Sequence, residues 1–173
     1  VALHPDFPDS PHAILEPSIR WFPADETLRT SSFEKLLPPL VSELRKQIKT
    51  WRDNGYAKAT ETSRSLLNWW FKEPHLLPVA NDRTMTEFQY YFAQREALET
   101  IIYLYDVVGV KDKYDLMRFD NSGAVSTGMF DETWRRFVVK MATGAGKTKV
   151  LSLVLAWSFF HKLYEPESEL ARN

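Results

Sequence analysis

Arg136-Phe137-Val138-Val139-Lys140-Met141 runs into Ala142-Thr143-Gly144-Ala145-Gly146-Lys147-Thr148, and Val150 to Tyr164 follows without a glycine or proline. The first segment is rich in β-formers and predicts a short strand. The last is long and strongly apolar and predicts a buried helix. Strand, glycine loop and helix in that order are what a phosphate-binding loop requires. Glycine tolerates positive φ, so Gly144 and Gly146 let backbone N–H groups turn toward phosphate oxygens. Those groups converge at a helix N-terminus, whose dipole also favours negative charge. Thr143, Gly144, Ala145 and Gly146 are thereby expected to cradle phosphate. Lys147 is expected to reach the β- and γ-phosphates and neutralise transition-state charge, which makes it the candidate catalytic residue. The Thr148 hydroxyl is the candidate ligand for Mg2+, which prefers oxygen donors. At average residue usage, G-x-G-K-T arises by chance in only about one in several hundred chains of this length. Chance is therefore a poor explanation once the flanking segments are counted.

Working outward, the loop departs from G-x-x-x-x-G-K-[ST] at one position, having Met141 in place of the first glycine. Upstream, Leu98, Ile101, Ile102 and Tyr105 recur at helical spacing, and Gln94 lies near the start of that helix. Further back, Leu40, Val41, Leu44, Ile48 and Trp51 predict an amphipathic helix ending near Gly55. A second helix is predicted from Thr60 to Phe71, burying Leu66, Leu67 and Trp69 or Trp70, closed by Pro74 and Pro78. Together these two read as a helical hairpin turning at Asn54-Gly55. Residues 1–30 carry Pro5, Pro8, Pro11, Pro17 and Pro23, and predict an extended arm packed against its own domain. Residues 109–133 show no clear periodicity, and Asp120-Asn121-Ser122-Gly123 reads as a turn.

The A-T-G-x-G-K-T string resembles motif I of superfamily 2 helicases and translocases, whereas kinase and GTPase loops usually keep the first glycine. Those ATPases place a glutamine upstream of motif I, and Gln94 matches it. Its amide could pair with adenine as Asn and Gln do in DNA readout. Phe88 and Tyr91 are candidates to stack on the base. More closely, FQYYFAQREALETIIYLYDV (88–107) and RRFVVKMATGAGKTKVLSLVLAWSFFHKLY (135–164) resemble the N-terminal part of type III restriction endonuclease Res-subunit-like DEAD/DEAH-box proteins. ILEPSIRWFPADE (14–26) and SRSLLNWWF (63–71) are similar to that group's N-terminal extension.

The resemblance implies an α/β protein: a mainly helical accessory region over 1–84, then over 85–173 the start of a RecA-like P-loop ATPase lobe. It implies a bacterial, cytoplasmic, ATP-driven motor on double-stranded DNA in restriction or phage defence, with modification or other defence-system subunits as possible partners. The acidic motif that completes such an ATPase has no counterpart after Thr148, since Asp25-Glu26 and Asp131-Glu132 both precede the loop. No restriction-nuclease core is evident either, because Pro8-Asp9 has no Lys-bearing strand after it. The chain is accordingly expected to be an N-terminal fragment, inactive alone. The alternative is a nucleotide-binding or assembly module with no chemistry of its own. A P-loop small-molecule kinase is a weaker third, because it needs acceptor machinery after the helix and usually keeps the glycine that Met141 replaces.

Composition bounds these readings. The 173 residues are 44% hydrophobic and 26% charged, which excludes wholesale disorder. The formal net charge of −1 argues against a basic nucleic-acid-coating protein. The absence of cysteine removes disulfides, thiolate metal sites and cysteine catalysis. His4, His12, His75 and His161 show no ligand spacing, so no metal site is predicted from them. Arg135, Arg136 and Lys140 are weak candidates for DNA contact, and Trp69-Trp70 reads as core or lobe-packing surface. Val150 to Phe160 is about half the roughly 20 residues a membrane span needs, and no signal peptide is expected at the start.

Overall fold

The computed structural model describes residues 40–79, 84–120, 123 and 138–172. It is mixed α/β, mainly helical, with one two-stranded sheet among those residues. The predicted arm over 1–30, His4, His12, Asp25-Glu26, Asp131-Glu132, Arg135 and Arg136 lie outside them. The chain divides into two compact units. One comprises Val1–Pro5, Ile48–Val110 and Arg136–Asn173, and the other Asp6–Gln47 and Lys111–Arg135.

In the first unit, helix α1 (Val41–Asp53, counted here from Ile48 on) ends as the sequence predicts, at Gly55. Gly55 has φ 67° and its N–H donates to the Arg52 carbonyl at 3.0 Å, while the Tyr56 N–H donates to the Trp51 carbonyl at 2.9 Å. This double closure satisfies orphan carbonyls, and the Trp51 and Tyr56 rings pack edge-on at 4.9 Å across it. Helix α2 (Glu61–Lys72) starts where the Thr60 side chain accepts from the Ser63 N–H, as an N-cap should. Leu67 and Trp70 face inward and Trp69 stays exposed.

After α2 comes a hairpin that the sequence reading did not anticipate: β1 (His75–Pro78) pairs antiparallel with β2 (Met85–Phe88), His75 opposite Phe88 and Pro78 opposite Met85. Helix α3 (Phe92–Ile102) follows and continues as a π-helical turn over Tyr103–Val107. The wider i→i+5 winding, seen in the Val108 N–H donating to the Tyr103 carbonyl at 2.9 Å, re-aims the side chains of that turn. One of them, Asp106, accepts from the backbone N–H of Thr60 at 2.8 Å.

In the second unit, Glu43 accepts from the Gln47 amide one turn later at 2.9 Å. The short helix α4 (Lys113–Met117) is capped by Asp112, whose carboxylate accepts from the Tyr114 and Asp115 amides. Phe119 is buried after it.

Helix α5 (Lys147–Tyr164) belongs to the first unit and covers the predicted apolar run. Val150, Leu153, Trp157 and His161 form its inner stripe at three- and four-residue spacing. The core of that unit gathers Trp51, Tyr56, Leu67, Trp70, Leu98, Ile102, Leu153 and Trp157, drawing residues from both sides of position 84.

Two sequence expectations need correction. Helix α5 is not buried all round: Leu151, Leu155, Phe159 and Leu163 form an outer row, with Leu155 70% exposed. The described part of the predicted strand before the loop carries no strand pairing: residues 138–142 pair with no other described segment, and Val138 is 84% exposed. Strand propensity needs a neighbour to bond to, and the β1–β2 hairpin lies in another part of the chain. No helix among the described residues is long and apolar enough to cross a membrane.

Candidate functional site

The glycine loop occupies residues 141–146 and opens α5. Gly144 and Gly146 have φ 81° and 76°, the left-handed region that glycine enters without strain. The Ala145 N–H closes on the Ala142 carbonyl at 3.3 Å, and the Lys149 N–H on the Gly146 carbonyl at 2.9 Å. Gly146 is the N-cap of α5, so the Lys147 and Thr148 amides, ahead of the first intrahelical bond, have no intrahelical acceptor. Its first turn contains no acidic residue and carries Lys147 and Lys149. The positive end of the helix dipole is therefore reinforced rather than offset, which favours an anion there.

Thr143, Gly144, Lys147 and Thr148 are exposed, while Ala145 and Gly146 are half-buried. The Lys147 ammonium folds back over the loop, 3.4 Å from the carbonyl oxygens of both Met141 and Ala142. Its charge thus stands over the loop that the sequence assigns to phosphate.

Gln94 is brought to the same place. It lies in the first turn of α3, where its Oε1 accepts from the Tyr91 N–H at 3.0 Å and so serves the helix end. Its Nε2 donates to the Ala145 carbonyl at 3.2 Å, across 51 residues of sequence. The side chain is only 5% exposed. A primary amide has two N–H donors and two good lone pairs, so these bonds use half its capacity. Tyr91 beside it is exposed, with its ring available to solvent. Phe88 instead joins Tyr90 edge-on at 4.8 Å, and the Lys149 ammonium lies 5.4 Å from the Phe88 ring centroid.

Two buried polar clusters were not predicted. Glu99 is completely buried, and Arg52 grips its carboxylate through both Nε and a terminal nitrogen. Arg95 Nε donates to the same carboxylate at 2.8 Å, as does the Tyr56 hydroxyl at 2.7 Å. Burial raises the Tyr56 hydroxyl above its ordinary range, and Glu99 adds to the shift. Burial alone would lower Arg52, but the bonds and charge of Glu99 outweigh it and hold Arg52 more firmly charged.

The second cluster surrounds His161, one of the four histidines that show no ligand spacing in the sequence. Its Nδ1 lies 2.8 Å from Ser168 Oγ, and its Nε2 3.3 Å from Asp106 Oδ1. Among the described residues no group of three or more His, Cys, Asp or Glu could hold a metal. Sequence spacing hid both clusters, because Arg52–Glu99 and Asp106–His161 pair residues from separate helices. The one legible sign was Arg95 and Glu99, an i, i+4 pair of opposite charge beside the apolar stripe of α3.

No family model, curated protein or solved structure matches this chain.

Proposed function

We propose that this chain binds ATP at Thr143–Thr148 and forms the ATP-binding part of a DNA-dependent ATPase or translocase of a restriction or phage-defence system, working in the cytoplasm. The observation that carries the reading is the 3.2 Å hydrogen bond from Gln94 to Ala145. In the sequence Gln94 is a candidate only because the loop lies downstream of it, and this bond brings its side chain against that loop. In this role Lys147 swings from the Met141 and Ala142 carbonyls onto the β- and γ-phosphates, and Gln94 selects adenine. Thr148 offers one hydroxyl to Mg2+, which would neutralise phosphate charge when bound with the nucleotide.

The finer fold assignment, the start of a RecA-like lobe, draws support from two bare features of the first unit. Residues 138–142 pair with no other described segment, and α5 leaves an apolar row exposed. A first strand and first helix awaiting their parallel-sheet neighbours would present both. Double-stranded DNA and defence-system subunits are the partners this assignment implies.

The test is titration of the intact protein with a fluorescent ATP analogue, followed by DNA-stimulated ATP hydrolysis. Lys147→Ala should weaken binding by about tenfold or more and abolish turnover, since it removes a charge-assisted phosphate contact. Unchanged binding by that variant overturns the reading. A second reading, a nucleotide-binding or assembly module without chemistry, needs only the phosphate contacts of the loop and Lys147. Binding without turnover, at any DNA concentration, would select it.

A further inference from the structure

We propose that Glu99, held by Arg52, Arg95 and Tyr56, is a positioning residue that fixes the rotation of α3 and thereby aims the Gln94 amide at the glycine loop. The inference rests on the nucleotide reading above and deepens it, because it names what sets base selectivity at that site.

Little holds Gln94 against the loop. Its contact with the loop is a single bond, Nε2 to the Ala145 carbonyl at 3.2 Å. Side-chain tips lie roughly 5–6 Å from a helix axis, so a rotation of about 20° moves one by about 2 Å. That is enough to break the contact. Apolar packing of Leu98 and Ile102, both fully buried, keeps α3 against the core. Apolar contacts are non-directional, however, and tolerate small rotations.

Directional contacts supply what is missing. Arg52 holds the Glu99 carboxylate with Nε at 3.0 and 2.9 Å from its two oxygens, a planar fork that accepts few orientations. Arg52 stands on α1, so the constraint is anchored outside α3. Tyr56, in the turn after α1, donates to Glu99 at 2.7 Å and accepts from Arg95 at 2.9 Å. Arg95 is the next residue after Gln94, and its Nε also reaches Glu99 at 2.8 Å. The network therefore grips α3 immediately beside the residue to be aimed. Full burial of Glu99 excludes the water that would weaken these bonds.

A residue that served only stability would change affinity for all nucleotides in parallel. A residue that aims Gln94 changes adenine preference specifically. The experiment measures Kd for ATP and for GTP on the intact protein, with thermal stability recorded alongside. Glu99→Gln is expected to cut the ATP-over-GTP preference about tenfold, within what a Gln–adenine pair is worth, while GTP affinity changes little. Tyr56→Phe removes one hydroxyl from the network and leaves the ion pairs, so it should fold even where Glu99→Gln does not. It is expected to lower the preference in the same direction by about two- to threefold, as one neutral bond's worth. In a Gln94→Ala background neither substitution should alter the preference further. Preference unchanged in Tyr56→Phe and Glu99→Gln, with Lys147→Ala abolishing binding, overturns the positioning role alone. Nucleotide affinity unchanged in Lys147→Ala removes the underlying reading, and this proposal with it.

Discussion

Gln94 lies so close over Gly146 that a Cβ there would stand 2.0 Å from its amide nitrogen and would have to push the Gln94 side chain aside. Gly146 also has φ 76°, where a side chain is strained whatever the space. Gly144 shares the backbone conformation, with φ 81°, but has nothing within 4 Å of its Cβ position. Gly144→Ala should therefore cost only the left-handed penalty, about 1–2 kcal/mol. Gly146→Ala should cost more and also dislodge Gln94 from Ala145. Denaturant melts of both, and of Gly146→Ala combined with Gln94→Ala, check this. Truncating Gln94 relieves the clash, so the double variant should lose less than the two single losses added.

Asp106 ties acid sensitivity to the far end of α5. Burial by itself would raise its carboxyl, but hydrogen bonds from His161, the Thr60 amide, Ser63 and the Thr60 hydroxyl outweigh that and hold it below the ordinary range. A depressed folded-state value means the unfolded chain binds the proton more readily. The resulting stability is complete above the unfolded value, about pH 4, and is lost as pH falls through the folded one. Asp106→Asn should cost about 1–3 kcal/mol at pH 7, because it weakens the acceptor for several buried donors. It should also flatten the loss below pH 4. Urea melts at pH 7 and pH 3 decide the matter, and equal slopes in wild type and variant would count against it.

Thr60 should show the cost of losing a helix cap. It accepts from the Ser63 N–H and its hydroxyl donates to Asp106 at 2.9 Å. Thr60→Ala is expected to lose about 1–2 kcal/mol, whereas Thr60→Ser keeps most of the stability. Thermal melts of the pair measure it.

The outer row of α5 offers a direct contrast with the core that α3 helps to form. Leu98 is fully buried, and Leu98→Ala should cost about 2–5 kcal/mol through lost burial and a cavity. Leu155 on the outer row is largely exposed, and Leu155→Ala should stay within about 0.5 kcal/mol. Equal losses in chemical denaturation would show that something covers that row.

Much of the local structure was legible because it depends on neighbours in sequence. The end of α1 at Gly55 follows from a residue that accepts positive φ, and the start of α2 at Thr60 from a side chain that caps. The loop conformation at Gly144 and Gly146 was readable for the same reason. That Val150 to Tyr164 is helical was legible from its long apolar run, but which face turns inward and which stays bare was not. An apolar residue seeks a partner, yet the sequence does not say whether one is present. Residues 138–141 form no strand on the same ground, since their propensity found no neighbouring edge among the described residues. The β1–β2 hairpin was missed because its prolines and exposed side chains break the alternation by which strands are recognised.

The sequence by itself determined the glycine loop, its lysine and threonine, and the helix they open, because those depend on backbone freedom and side-chain chemistry within a few residues. Only the tertiary structure decided that Gln94 rests on Ala145, that Glu99 is locked between Arg52 and Arg95, and that His161 faces Asp106. Each of those pairings needs helices brought together by the burial of Trp51, Leu67, Leu98 and Trp157 in one core. Burial is non-directional, so it fixes which faces meet without recording the partners in any local pattern.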